Sequence, residues 1–273
     1  MVDVFGGVGA IRGRNGPPGP RGLRGLPGSI RDLCIWLPGT VLANLQKYDE
    51  RGSYFVQDPD KDLHHKAKPG QITKWCSRSS TGGDLDADRP CNSLVKLNGY
   101  YALEFKQNSY TASEGVLMQS EPGLGGFICI TFRMAGEGEQ VLVSDYDSSN
   151  DEYCEIRVTE TEVILHLQSH DEMIQHSCRD WTTVFVEYNS DETTIYFRYN
   201  VNGTTGSFTR PSHKPIFLYS DFTMGSRSDQ THYLTGAIAA LEIYQSKQPS
   251  EVPEELQEIV IKNQQDIYKS NCK

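Results

Sequence analysis

The chain contains no run of about 20 apolar residues, so no segment of it reads as a membrane-spanning helix. Its opening, MVDVFGGVGAIRGRNG, lacks the apolar stretch of a secretory signal. Either a signal has been removed, or the protein reaches its destination without the secretory pathway. Chemical motifs are equally scarce. The seven cysteines, Cys34, Cys76, Cys91, Cys129, Cys154, Cys178 and Cys272, show neither zinc-module spacing nor a C-x-x-C redox pair. Their odd number leaves at least one thiol without a partner in the chain. No serine or cysteine nucleophile arrangement and no phosphate-cradling glycine loop is present.

What the chain does have is glycine in strict period. From Gly13 it runs GRN-GPP-GPR-GLR-GLP-GSI to Ile30, placing Gly13, Gly16, Gly19, Gly22, Gly25 and Gly28 at every third position. A collagen triple helix demands that spacing, because only hydrogen fits at its crowded axis. Eighteen residues in this form make a rod of roughly 55 Å, too short to hold a homotrimer without help from the neck or the globular part. Residues 1–12 then form an anchor peptide outside the 13–30 stalk. Residues 1–31 hold Arg12, Arg14, Arg21, Arg24 and Arg31 against Asp3, a net +4, which leaves −14 on the rest of a chain whose total is −10. Such an arm suits docking to an acidic capsid or matrix partner. Outward-pointing side chains of a solvated stalk explain the same charge, and nucleic acid is not an expected partner.

Residues 31–92 read as an apolar neck followed by a polar excursion, with His64 and His65 in a surface loop. Cys76 and Cys91 bracket a second polar loop, SRSSTGGDLDADRP, and make the expected disulfide if the protein matures in an oxidising place. Residues 93–246 alternate in short β segments separated by turn signals, among them YYALEF, GFICITFRM, EQVLVSDY, YCEIRV, TTVFVEY, TTIYFRYNV, PIFLY and AIAALEIY. That pattern predicts two antiparallel sheets packed face to face. Residues 247–273 change character: Ser250 is a candidate N-cap, and Leu256, Ile259, Val260 and Ile267 mark one helical face.

Three stretches carry a family likeness. DWTTVFVEY with Trp181, TTIYFRYNVNGTTGSF with its Asn202-Gly203 turn, and YLTGAIAALEIYQ with Gly236, Ile238, Leu241 and Ile243 stand in the order of the laminin-G-like, concanavalin A-like jelly roll. The resemblance implies a mainly β sandwich of two curved antiparallel sheets that binds carbohydrate or protein ligands. Together with the stalk, the chain resembles a trimeric viral fibre or minor capsid protein, displayed on the virion surface with a glycan or protein receptor at the head. The alternative is a secreted, collagen-stalked recognition or matrix protein.

Hydrolytic relatives of this fold carry Glu-x-Asp-x-x-Glu on one strand. That pattern is absent, and EYCEIRV offers only Glu152 and Glu155, so an enzyme is not expected. Asp145, Asp147, Asn150 and Asp151 could hold calcium, against the reading of a solvated acidic hairpin loop, and no other cofactor is implied. Asn202-Gly203-Thr204 is a glycosylation sequon on the secretory branch, although the same Asn-Gly is explained by hairpin chemistry. Tyr100, Tyr101, Tyr146, Trp181 and Tyr233 are candidates for stacking on sugars or for filling the core.

Overall fold

A computed structural model describes residues 48–65, 71–79, 83–91, 93–112, 125–147, 152–167, 170–191, 193–211, 222–246 and 252–269. The collagen-like stretch, the PIFLY segment and Ser250 lie outside the described residues. The chain enters through β1 (Tyr48–Phe55), the short helix α1 (Pro59–Asp62) and strands β2 (Leu63–His65), β3 (Ile72–Trp75) and β4 (Leu85–Cys91). Strands β5 (Leu94–Lys96), β6 (Tyr101–Lys106) and β7 (Ser109–Ala112) lead to β8 (Gly125–Met134). A meander comes next: β9 (Gln140–Asp147), β10 (Glu152–Val158), β11 (Glu162–Leu167) and β12 (His170–Gln175). Then come β13 (Thr182–Ser190), β14 (Thr194–Val201), β15 (Thr204–Pro211), β16 (Thr223–Met224), β17 (Thr235–Ser246) and helix α2 (Glu254–Gln265).

Among the described residues, seventeen strands form two antiparallel sheets. One is ordered β15-β14-β13-β8-β17-β6-β5, and the other β12-β11-β10-β9-β16-β7-β4-β3-β2. In the first sheet β17 is long enough to pair twice along one edge, with β6 through Thr235–Ile238 and with β1 through Ala240–Ser246. This corrects the sequence-based boundary. Residues from Tyr48 onward, assigned to a neck and polar excursion, are strands of the sandwich itself.

The core between the sheets is built by alternation. Ile128, Ile130 and Phe132 of β8 point inward with Val184 and Val186 of β13 and with Leu241 and Ile243 of β17. The intervening positions of the first sheet are also buried, against α2. Phe127, Cys129, Phe185 and Tyr244 pack with Leu256, Val260 and Ile261 of that helix. Both faces of the central strands are thus covered, so β8 and β17 are near-continuous apolar runs rather than half-polar ones. The helix starts at Pro253 without a side-chain cap. The expected apolar face holds: Leu256 and Val260 are buried, Ile259 packs beside them, and Ile267 joins a smaller cluster with Phe55 and Tyr100. Among the described residues no helix is long and apolar enough to cross a membrane.

The hairpin between β14 and β15 turns at Asn202 (φ 47°) and Gly203 (φ 101°), both left-handed, as the Asn-Gly signal requires.

Candidate functional site

The second sheet has an outer face that no helix covers among the described residues. Its strand registers align one polar row across all nine strands. His64 is opposite Lys74, Lys74 opposite Asp86, and Asp86 opposite Thr111. Thr111 is opposite Thr223, and Thr223 is opposite Ser144. Ser144 pairs with Glu155, Glu155 with His166, and His166 with Asp171. At about 4.8 Å per strand this row is roughly 38 Å long.

The centre of the row is closed and the two ends are open. Ser144, Glu155 and Thr223 are buried. The segment between β16 and β17 folds back over them. It begins at Gly225 (φ 84°), where a Cβ would lie 2.3 Å from the Phe105 ring, so only glycine makes that turn. The segment delivers Arg227, whose Nε and Nη2 donate to Glu155 Oε1 and Oε2 at 2.8 and 3.1 Å, a bidentate pair. Arg157 Nε donates to Glu155 Oε2 at 2.6 Å and its Nη1 reaches Glu139 at 3.4 Å. Ser144 Oγ donates to Glu155 Oε1 at 3.0 Å. Burial alone would raise the Glu155 pKa, but the hydrogen bonds from Arg227 and Arg157 outweigh it and the carboxyl is held below its ordinary range.

At one open end, Lys74 Nζ lies 3.1 Å from Asp86 and 3.4 Å from Asp84, with half of the Asp86 side chain in solvent. Thr111 Oγ1 and Gln230 Nε2 both donate to Asp88, and Ser109 Oγ donates to Gln230 Oε1 at 3.0 Å. At the other end, His166 Nδ1 sits 2.6 Å from Asp171, next to the exposed Met173. Each open end therefore presents charged groups beside hydroxyls, amides or an apolar side chain, which suits a neutral or weakly charged ligand rich in hydroxyls.

Sequence reasoning pointed at Glu155 but not at its neighbours. Arg227 lies 72 residues further on, and nothing local marks it. The signal available was the alternation of Glu155 and Arg157 with the buried Ile156 and Val158, which puts both charges on one strand face.

The other expected site residues are not brought together. Asp145 faces inward opposite Cys154 and is buried, while Asp147 ends β9, and Asn150 and Asp151 lie outside the described residues. Among the described residues no cluster of three acidic, histidine or cysteine side chains is placed to hold a metal ion.

The Cys76–Cys91 bridge does not form. Cys91 is opposite Ile72, four residues from Cys76, a separation of roughly 13 Å along an extended strand, beyond disulfide reach. Cys76 keeps a free thiol, and Cys91 Sγ donates to the Glu104 carbonyl at 2.6 Å.

Asn202 is committed inside the fold. Its Nδ2, the atom a glycan would occupy, donates to the Trp181 carbonyl at 3.2 Å. Its Oδ1 accepts from Thr183 N at 2.9 Å and from Tyr268 Oη at 3.4 Å. Asn202→Ala should cost about 2 kcal/mol, because it strands the Thr183 amide and strains a left-handed residue. Urea unfolding at constant m-value checks it, and a loss under about 0.5 kcal/mol would show that the side chain is only a surface ornament.

Of the candidate aromatics, Tyr100 is fully buried. Trp181 is sandwiched between Tyr268 (5.9 Å) and Arg133 (5.4 Å), and Tyr233 is covered by Arg89 (4.8 Å). Tyr146 is the cross-strand partner of Tyr153.

No protein-family model and no curated protein matches the chain. Solved structures do. A mutant GH54 α-L-arabinofuranosidase soaked with an arabinofuranoside matches 71% of this chain and 50% of its own, at 15% identity and TM-score 0.52. An arabinofuranosidase complexed with arabinofuranosyl-α-1,2-xylobiose gives 13% identity over the same shares, also at TM-score 0.52. Domain 4 of a GH43 arabinanase from Geobacillus stearothermophilus, in complex with arabinotriose, covers 79% of this chain and 99% of its own, at 12% identity and TM-score 0.45. The chain spans half the length of the two arabinofuranosidase structures. At these identities the likeness concerns the fold, and the chain is an antiparallel β-sandwich of the jelly-roll class.

Proposed function

We propose that this protein is a non-enzymatic recognition protein that holds glycan at the two open ends of a polar row on the outer face of its nine-stranded sheet. The observation that carries this reading is the polar row from His64 to Asp171, open at both ends and closed at its centre. Glycan hydrolysis needs a proton-donating acid opposite a second carboxylate. Glu155 is a poor candidate, since it is held ionised, is shielded from solvent and has both oxygens taken by arginines. An arabinofuranosidase of which half matches this chain is complexed with arabinofuranosyl-α-1,2-xylobiose, which supports the reading by analogy.

The six Gly-x-y triplets complete the proposal: three heads on one stalk, displayed on a virion, so that three weak sites act with avidity. The secreted alternative draws on a Cys76–Cys91 bridge and a glycan on Asn202, and neither position is arranged for it.

The test is a glycan array probed with wild type and with Lys74→Ala/Asp86→Ala, two open-end positions whose exchange leaves the core intact. Binding that falls at least tenfold in the double variant is expected. Binding untouched by the double variant would move the site elsewhere, and release of reducing ends from a bound glycan would make the protein an enzyme. Light scattering on the full chain gives the assembly: a mass near three times 30.6 kDa is expected, and a monomer would remove the stalked trimer.

A further inference from the structure

A second site lies on the opposite sheet, beyond the glycan reading. Where β6, β17 and β8 run side by side, Glu104 and Arg133 are both cross-strand partners of Ala237. Two strand spacings put their Cα atoms roughly 9–10 Å apart. The methyl of Ala237 cannot fill that gap, and a cleft of about 50 Å³ remains, walled by Val95, Lys106 and Arg133. At roughly 10–15 Å³ per water-sized group, it admits three to five such groups. That is one carboxylate with its attached carbon, and not a sugar ring.

The charges in the cleft are unequally satisfied. Glu104 is already engaged: its carboxylate accepts from the Ser93 hydroxyl and lies 3.2 Å from Lys106 Nζ. Arg133 is different. Arg157, Arg179, Arg198 and Arg227 each pair with a glutamate. Arg133 instead rests on the face of Trp181 at 5.4 Å, and Trp181 is backed by Tyr268. The stacking holds the guanidinium over the ring; its charge reaches the Glu104 carboxylate across the cleft, but its N–H groups make no hydrogen bond to a described residue. In a chain of net charge −10, with acids in excess, an arginine whose N–H groups are bonded to no carboxylate is a vacancy for one.

We infer that this cleft is a carboxylate-binding site, in which Arg133 makes the bidentate contact, Lys106 offsets the charge of Glu104 on the same wall, and Val95 with Ala237 covers the carbon skeleton. Its ligand is a small organic carboxylate, either free or as the acid group of a uronic-type sugar.

The experiment is a ¹H–¹⁵N NMR titration of the protein with acetate, glucuronate and the methyl ester of glucuronate, following the Trp181 indole. Saturable shifts with glucuronate, absent with the ester and weakened about tenfold or more in Arg133→Gln, are expected for a charge-assisted bidentate contact. Arg133→Lys should fail to restore binding, because an ammonium lacks the planar fork. Equal shifts with acetate assign the site to free carboxylates, and a glucuronate preference assigns it to the acid sugar. Failure of all three ligands to shift Trp181, or titration unchanged in a folded Arg133→Gln, would overturn the inference. Lys74→Ala/Asp86→Ala should titrate as wild type, so this site and the glycan row fail or stand separately.

Discussion

Glutamine in place of Glu155 is expected to lower the thermal midpoint by on the order of 10 °C, from a loss of about 3 kcal/mol in a domain of this size. The carboxylate is fully buried and receives donors from Arg227, Arg157 and Ser144. Removing its charge leaves two partly buried guanidinium groups facing a neutral amide, and breaking one side of a buried pair costs far more than the intact pair contributes. The segment from Gly225 to Leu234 should loosen with it, since Arg227 is its anchor onto the sheet. Hydrogen exchange of that segment should rise in Glu155→Gln and remain at wild-type level in Lys74→Ala. A midpoint shift under about 2 °C would mean that the arginines are satisfied by solvent instead.

The same residue sets an acid limit. Its folded-state pKa lies below the ordinary glutamate value of about 4.3. Its contribution is therefore fully present above that pH and is lost as pH falls through the depressed folded value. Wild type should lose stability steeply below about pH 4, and Glu155→Gln should show a shallower acid slope.

Phe127→Ala is expected to cost about 4 kcal/mol, the range for truncating a fully buried aromatic. Phe127 stacks on Tyr244 at 4.7 Å and on Phe185 at 5.2 Å, and takes the edge of Tyr48 at 5.5 Å. These rings join four strands of the first sheet and form the seat of α2. The cavity would therefore free the helix as well as weaken the sheet. Urea unfolding should show the loss, and helix amides from Leu256 to Ile261 should exchange faster in the variant. A cost below about 1.5 kcal/mol would mean that the helix rests on other contacts.

Local chemistry was enough to mark the longer strands from Tyr101 onward, though not β7, β12 or β16, and to mark the Asn202-Gly203 turn and the C-terminal helix. Each is encoded within a few residues: two-residue alternation, a pair tolerant of positive φ, or apolar spacing at helical period. The strands β1 to β4 were not legible. YDERGSYF and LDADRPC are polar because β1 carries charges and β4 lies beneath the polar row, so neither has the half-apolar pattern that signals a strand. Their partners supply what the sequence lacks: β1 completes the edge of β17, and β4 pairs with β7.

The glycine period, the acidic balance and the β character of the chain belong to its sequence alone, since each comes from residue type and spacing. Tertiary structure decided the rest. It aligned nine strands in one register, so that residues from His64 to Asp171 share a face. It brought Arg227 onto Glu155, turned Asn202 inward, and left Arg133 beside Trp181 without a hydrogen-bonded carboxylate. The physical reason is that register and ion pairing are settled by contacts between distant segments, where burial makes one partner's charge the condition for the other's, and no local pattern records that dependence.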